Sequence, residues 1–206
     1  MKLLQMPIFF QHSINDTTRL GIWKIEENET FFKGNVPLHR DVTHPHKRLQ
    51  HLAGRFLLQF LFADFPYHLI QVADTRKPYL PGEEYHFSIS HCGDYAAAIV
   101  SKDKRVGVDI EIPVEKIERI RDKFLSADEQ ELLLNGDLKQ LTVLWSAKEA
   151  VFKWYGEGKV DFKAHMQLKG QDPATEQIDC FFVPRKKWLS VNYRLLDHVM
   201  LAWVVG

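Results

Sequence analysis

The stretch Gly107-Val108-Asp109-Ile110-Glu111 decides how this chain is read. It lies within Val106 to Ile112, where apolar and non-apolar residues alternate with the period of a half-buried strand. On a strand, positions i and i+2 share a face. Asp109 and Glu111 therefore project side by side, and Val106, Val108, Ile110 and Ile112 pack on the other face. Further on, Trp145-Ser146-Ala147-Lys148-Glu149-Ala150-Val151-Phe152-Lys153 reads as an amphipathic helix with Glu149 and Lys153 on one side. Three hard oxygen ligands and a nearby ammonium suit a magnesium-assisted transfer of a phosphate-containing group. Taken singly, the Asp-x-Glu pair also reads as the solvated face of an edge strand, and the Glu-Lys pair as a surface ion pair.

Outward from this core, Tyr85 to Ser90, Tyr95 to Ser101 and Arg105 to Ile112 read as three consecutive strands. Cys92-Gly93-Asp94 and Asp103-Lys104 are the turns between them, which predicts a meander. Upstream, Leu20 to Ile25 is the clearest strand of the first 25 residues. Thr43 and Pro45 mark a helix start, and Leu49, Leu52, Ala53, Phe56, Leu57, Phe60 and Leu61 form its apolar stripe. Arg48, His51 and Arg55 share a neighbouring face of that helix. Downstream, Ile117, Ile120 and Phe124 mark a helix, and the capping box Ser126 to Glu129 opens another that stops near Gly136. A long helix runs from about Lys139 to Tyr155, and Gln177 to Val183, Trp188 to Leu195 and Val199 to Val205 are closing strands. Two β-rich halves, each with a long helix, make an α+β fold. The boundary falls near Ser101 to Arg105, giving halves 1–103 and 104–206, the second carrying the candidate metal site.

Lys plus Arg equals Asp plus Glu at 27 each over 206 residues. That balance argues against nucleic acid as a partner. No apolar run approaches membrane-spanning length, and Met1 to Pro7 lacks a signal peptide's apolar core, so a cytoplasmic chain with no membrane partner is expected. Two cysteines, Cys92 and Cys180, fit reduced thiols. His39, His44, His46 and His51 fit no zinc spacing and read as a polar loop leading into a helix.

Together the motifs resemble those of the 4'-phosphopantetheinyl transferase superfamily, specifically its single-chain, pseudo-dimeric, Sfp-type class. That family shows a G-[IV]-D-[IV]-E strand and a downstream W-S-x-K-E-[AS]-x-x-K helix, both intact here. Its G-K-P turn corresponds to Arg76-Lys77-Pro78, and its S-H-S strand end to Ser90-His91-Cys92. The resemblance is clear from about Leu49 to Lys159. Three positions depart from the pattern. Arg76 stands where the family has glycine, Cys92 where it has a second serine, and Gln50 where it has a helix arginine, with Arg48 and Arg55 the nearby cations.

The resemblance implies a pseudo-twofold arrangement of similar halves and a monomer. It implies coenzyme A as donor, an apo acyl or peptidyl carrier protein as acceptor, and activity of the holo-[acyl-carrier-protein] synthase type. Asp109, Glu111 and Glu149 would hold Mg²⁺, Glu149 would act as general base, and Lys153 would stabilise the leaving phosphate. Lys77, Ser90 and His91 would contact nucleotide phosphates, with Arg48 and Lys148 as further cofactor-binding candidates. Lys148 also reads as a surface cation, and Phe124 either as core or as part of a carrier-docking region. A non-catalytic relative that binds coenzyme A or a carrier protein is the alternative, and a magnesium phosphodiesterase would need more clustered carboxylates.

Overall fold

The computed structural model describes residues 8–36, 42–133 and 136–206. Two antiparallel sheets form the α+β framework. In the first, β1 (Ile8–Ser13), β2 (Thr18–Lys24), β5 (His86–Cys92) and β6 (Tyr95–Ser101) lie in the order β1-β2-β6-β5. In the second, β7 (Val106–Glu111), β8 (Met166–Asp172), β9 (Gln177–Phe182), β10 (Lys187–Leu196) and β11 (Val199–Val205) lie in the order β7-β11-β10-β9-β8. A small hairpin, β3 (Gln71–Val72) and β4 (Pro78–Tyr79), stands apart from both.

The predicted meander does not form. Strand β6 is paired on one side with β2 and on the other with β5, so both its edges are used before β7 arrives. Strand β7 must find its ladder elsewhere, and it pairs with β11. The crossing lies at Lys102–Arg105, where Ser101 Oγ accepts from the Lys104 N–H at 3.2 Å. Val106, Val108 and Ile110 then pack against Leu20, Ile22, Ala97, Ile99, Leu201 and Trp203, so the two sheets meet face to face over an apolar layer. Each fully buried side chain of this size contributes roughly 1.5–3 kcal/mol.

Strands β5 and β7 lie beside each other along one margin of that layer without a backbone ladder. Side chains at alternate positions of β5 replace it. Ser88 Oγ accepts from the Val108 N–H at 3.2 Å, Ser90 Oγ–H donates to Asp109 Oδ1 at 2.9 Å, and Cys92 Sγ accepts from the Ile112 N–H at 3.3 Å.

Each of the two large sheets carries one long helix. Helix α2 (Pro45–Leu61) follows the short α1 (Glu29–Lys33), and its N-cap is His44 rather than Thr43; the His44 ring accepts from the Lys47 N–H. Gly54 lets α2 press on β5, since a Cβ there would stand 2.6 Å from Ile89 Cγ2. The region after β7 is more broken than its apolar spacing predicts. A 3₁₀ turn over Glu115–Ile120 leads into α3 (Arg121–Phe124), and α4 (Ala127–Gln130) ends one turn after its capping box. Helix α5 (Leu138–Tyr155) starts on Asp137, which caps the Gln140 N–H at 2.7 Å, and stops at Gly156 in the left-handed region. A last short helix, α6 (Phe162–His165), precedes β8. Among the described residues no helix is long and apolar enough to cross a membrane. Met1 to Pro7 and His39 lie outside the described residues.

Candidate active site

Gly107 sets the distance between β7 and α5. A Cβ at this position would stand 2.0 Å from the Ala150 carbonyl oxygen and 2.6 Å from the Trp154 nitrogen, so only glycine allows the helix to lie directly on the strand. Asp109 and Glu111 follow on the same strand face, and Glu149 and Lys153 come from the helix pressed against it. Lys153 Nζ sits 2.6 Å from Asp109 Oδ1 and 2.7 Å from Ser90 Oγ. Ammonium, hydroxyl and carboxylate thus form one chain spanning α5, β5 and β7.

The other carboxylates crowd this pair. Burial, and then the negative charge of Asp109, push the Glu149 carboxyl up to about 7, while Lys153 partly offsets the rise. Glu111 is raised for the same two reasons in the same order. Asp109 is itself 2% exposed, and its Oδ2 is buried with no hydrogen-bond partner among the described residues. Among those residues, no group of three Asp, Glu, His or Cys side chains is closed into a set of metal ligands. The donor set nevertheless fits a hard cation, through one orphaned carboxylate oxygen and two carboxyls that resist ionising beside each other.

The turn between β3 and β4 sends two consecutive cations in opposite directions. Lys77 reaches the C-terminus of α5, where its Nζ donates to the Lys153 carbonyl at 2.7 Å and its stem lies over Gly156. Burial lowers its pKa to about 8. It lines a cavity of about 290 Å³ with Pro78, Tyr85, Phe87 and Tyr155. Arg76 lines a second cavity, of about 170 Å³, with His51, Arg55, Ile89 and His91. Arg55 is 4% exposed and its Nε donates to His51 Nε2 at 3.0 Å.

These contacts sort the residues singled out from sequence. Asp109, Glu111, Glu149, Lys153 and Ser90 come together. His91 lies on the far side of β5 from Ser90, in the smaller cavity. Arg48 does not line that cavity; its guanidinium is held by Glu29, through two contacts of 2.8 Å, and by the Val42 carbonyl. Gln50 is also elsewhere, donating to the Gly93 carbonyl at 2.8 Å.

Residues 105–199, which include β7 and α5, match the 4'-phosphopantetheinyl transferase superfamily. The chain is 34% identical over 113 residues to enterobactin synthase component D of Escherichia coli (strain K12), covering 52% of this chain and 54% of that protein. It is 32% identical over 162 residues to the L-aminoadipate-semialdehyde dehydrogenase-phosphopantetheinyl transferase of Xenopus laevis, covering 68% and 53%. It is 39% identical over 79 residues to 4'-phosphopantetheinyl transferase psf-1 of Bacillus pumilus, covering 36% and 33%. The chain belongs to the 4'-phosphopantetheinyl transferase superfamily. It spans about half the length of the curated relatives it matches.

Two residues of this superfamily member lie away from any open site. Lys148 is fully buried, not a surface cation: its Nζ donates to the Phe124 and Phe162 carbonyls at 2.7 and 2.8 Å and pairs with Glu129 at 2.7 Å. The reason is that α5 is packed on two sides, so the flank beside Glu149 faces the core rather than water. Phe124 is 1% exposed and packs edge-on against Trp145, which makes it core. Two contributors had little sequence signal. Ser88 looked like an ordinary strand residue, and Glu129, visible only as part of a capping box, also accepts from the Leu168 N–H at 2.8 Å.

Proposed function

We propose that the chain moves the 4'-phosphopantetheine group of coenzyme A to a serine hydroxyl of an apo acyl or peptidyl carrier protein, releasing adenosine 3',5'-bisphosphate, as an Sfp-type enzyme of the holo-[acyl-carrier-protein] synthase kind. The observation that carries this reading is the Lys153–Asp109–Ser90 chain beside a Glu149 carboxyl poised near neutrality. The printed names of the relatives, two of them phosphopantetheinyl transferases, support the same reaction class.

In this reading Asp109, Glu111 and Glu149 would hold Mg²⁺, which when bound supplies charge neutralisation to the diphosphate. Glu149 takes the proton of the acceptor serine. A base serves best when its pKa lies near the working pH, and burial has moved Glu149 there. The serine oxygen then bonds to the phosphorus that carries pantetheine, and the bond from that phosphorus to the bridging oxygen breaks. The bridging oxygen leaves with the adenosine bisphosphate, and Lys153 donates to it as its charge grows. Asp109 holds the Lys153 ammonium in place for that task. The two halves, 1–103 and 104–206, would work as one pseudo-dimeric, monomeric unit in the cytoplasm, a placement favoured by two unbridged thiols.

The test is incubation with coenzyme A, Mg²⁺ and a panel of apo carrier proteins, read by intact mass. A gain of one phosphopantetheine on a carrier is expected. No gain on any carrier at saturating coenzyme A would overturn the reading.

A further inference from the structure

Lys148 and Glu129 form a buried ionic pair that the mechanism above does not use. Lys148 is 0% exposed and Glu129 2%. A lysine ammonium has three N–H donors. Here all three are spent on protein: on the Phe124 carbonyl at 2.7 Å, on the Phe162 carbonyl at 2.8 Å and on the Glu129 carboxylate at 2.7 Å. None is left for a ligand. Glu129 is as fully committed, because its Oε1 also accepts from the Leu168 N–H and its Oε2 from the Ser126 N–H, both at 2.8 Å.

Stability alone does not account for such a pair. Withdrawing two charges from water costs about as much as their attraction returns, and apolar side chains of similar volume often serve stability as well or better. What a buried, fully bonded pair adds is direction, which suits it to fixing the register of one element against others. The stretch of α5 around Glu149 needs that. Its buried neighbours Ser146, Ala147 and Ala150 are all short, and the strand beneath offers Gly107. Short side chains permit the close approach but present low ridges, so they interlock weakly against turning or sliding of the helix.

Lys148 supplies the missing constraint. At about 100° per residue, Glu149 is turned about 100° around the helix axis from Lys148, and Lys153 about 140°. One flank of α5 is thus tied to three other segments while the next flank carries the carboxyl and the ammonium of the site. The tied residues also grip the helix through their rings. Phe124 and Phe162 meet Trp145 at 5.0 and 5.7 Å, and Phe162 meets Phe152 at 5.6 Å. Trp145 stands four residues before Glu149 and Phe152 three after, so the helix is steadied on both sides of it.

We infer that Lys148, with Glu129, is a positioning residue that fixes the rotation and register of α5 and so sets Glu149 and Lys153 against Asp109. The inference rests on the transferase reading above. Lys148 acts through the helix and touches no substrate.

The test is steady-state transfer from coenzyme A to an apo carrier protein with Mg²⁺, set beside urea unfolding, for the wild type, K148M and K148M/E129L. The paired variant removes both charges and should recover most of the stability that K148M loses. Its kcat per folded molecule should nevertheless stay about 10- to 100-fold below the wild type, with KM for coenzyme A within a few-fold, because a shift of about 1 Å in a reacting group can cost about 100-fold. Wild-type kcat in the stable paired variant would overturn the inference and leave Lys148 a stability residue. If K148M/E129L does not fold, K148Q/E129Q, which removes both charges but keeps amide groups for the same main-chain partners, decides by the same criterion. Wild type that modifies no carrier would overturn the transferase reading, and this inference with it.

Discussion

Lys77 donates a hydrogen bond to the main-chain carbonyl of Lys153 at 2.7 Å, so the turn between β3 and β4 caps the C-terminus of α5. The residue whose carbonyl is held is the one whose ammonium meets Asp109. Lys77→Met should therefore act through helix position. Losing the donor to this part-buried carbonyl should cost about 1 kcal/mol, so the urea midpoint should fall accordingly. Turnover should fall with it, while KM for coenzyme A stays within a few-fold. A variant with native stability and a large rise in KM would mean that Lys77 binds donor.

Glu149 should make the metal-free protein less stable as pH rises. Its folded pKa of about 7 lies above its ordinary value of 4.5, so the folded chain holds this proton more tightly than the unfolded chain. Stability from this group is full below about 4.5 and is lost as pH climbs to 7 and beyond. Glu149→Gln removes the titration. In chelator, the melting temperature of the wild type should drop relative to the variant between pH 5 and pH 8, and transfer by the variant should be abolished. A constant difference across that range would refute the shifted carboxyl.

Lys153 should act on rate more than on binding. Lys153→Ala removes the ammonium that the proposed mechanism sets against the leaving oxygen, so kcat should fall far more than KM for coenzyme A rises. Lys153→Arg restores charge but gives up its proton poorly, and should recover binding better than rate. Full activity of the arginine variant would leave Lys153 a simple phosphate-binding cation.

Gly107→Ala tests the spacing that assembles the site. The added methyl would meet the Ala150 carbonyl at 2.0 Å, which forces α5 away from β7. Overpacking of this kind costs about 1–3 kcal/mol, and the separation of Glu149 and Lys153 from Asp109 should remove transfer even where the protein stays folded. Native circular dichroism with native turnover would contradict the close approach.

The buried Lys148–Glu129 pair predicts a contrast between single and paired substitutions. Lys148→Ala leaves Glu129 charged in the core and should cost about 3–5 kcal/mol in urea unfolding. Replacing both by Met and Leu should recover much of that loss. Additive losses in the double variant would show that the pair is not coupled.

The strand of Asp109 and the helix of Glu149 were legible because each carries a clean apolar period that local sequence alone sets up. The strand's neighbours were not. Val106 to Ile112 reads the same whether it pairs with β6 or β11, and the choice depends on β2 having already taken the other edge of β6. Lys148 was misleading for a related reason: its partners, Phe124, Glu129 and Phe162, come from three separate segments that no spacing rule links to it. Strand β8 went unseen because only Met166 and Leu168 in its seven residues are apolar side chains turned to the core. Arg76 was visible as a departure, but the left-handed backbone it adopts, with a φ of 65°, is a property of the fold.

The side-chain seam between β5 and β7 also bears on how this molecule avoids polymerising. Two open sheets present four strand margins, each a template for a stray chain. Turning β5 and β7 toward each other, with one serine and one thiol occupying the amides of Val108 and Ile112 that would otherwise recruit a partner, takes two margins out of reach. The outer two are irregular instead: β1 shifts register between Ile8 and Phe10, and β8 between Leu168 and Gly170, with Lys169 at the break. A kinked ribbon carrying a charge is a poor surface for strand addition. Substituting the seam residues Ser88 and Cys92 would thus expose the inner margins and trade a well-behaved solution protein for one prone to fibrils.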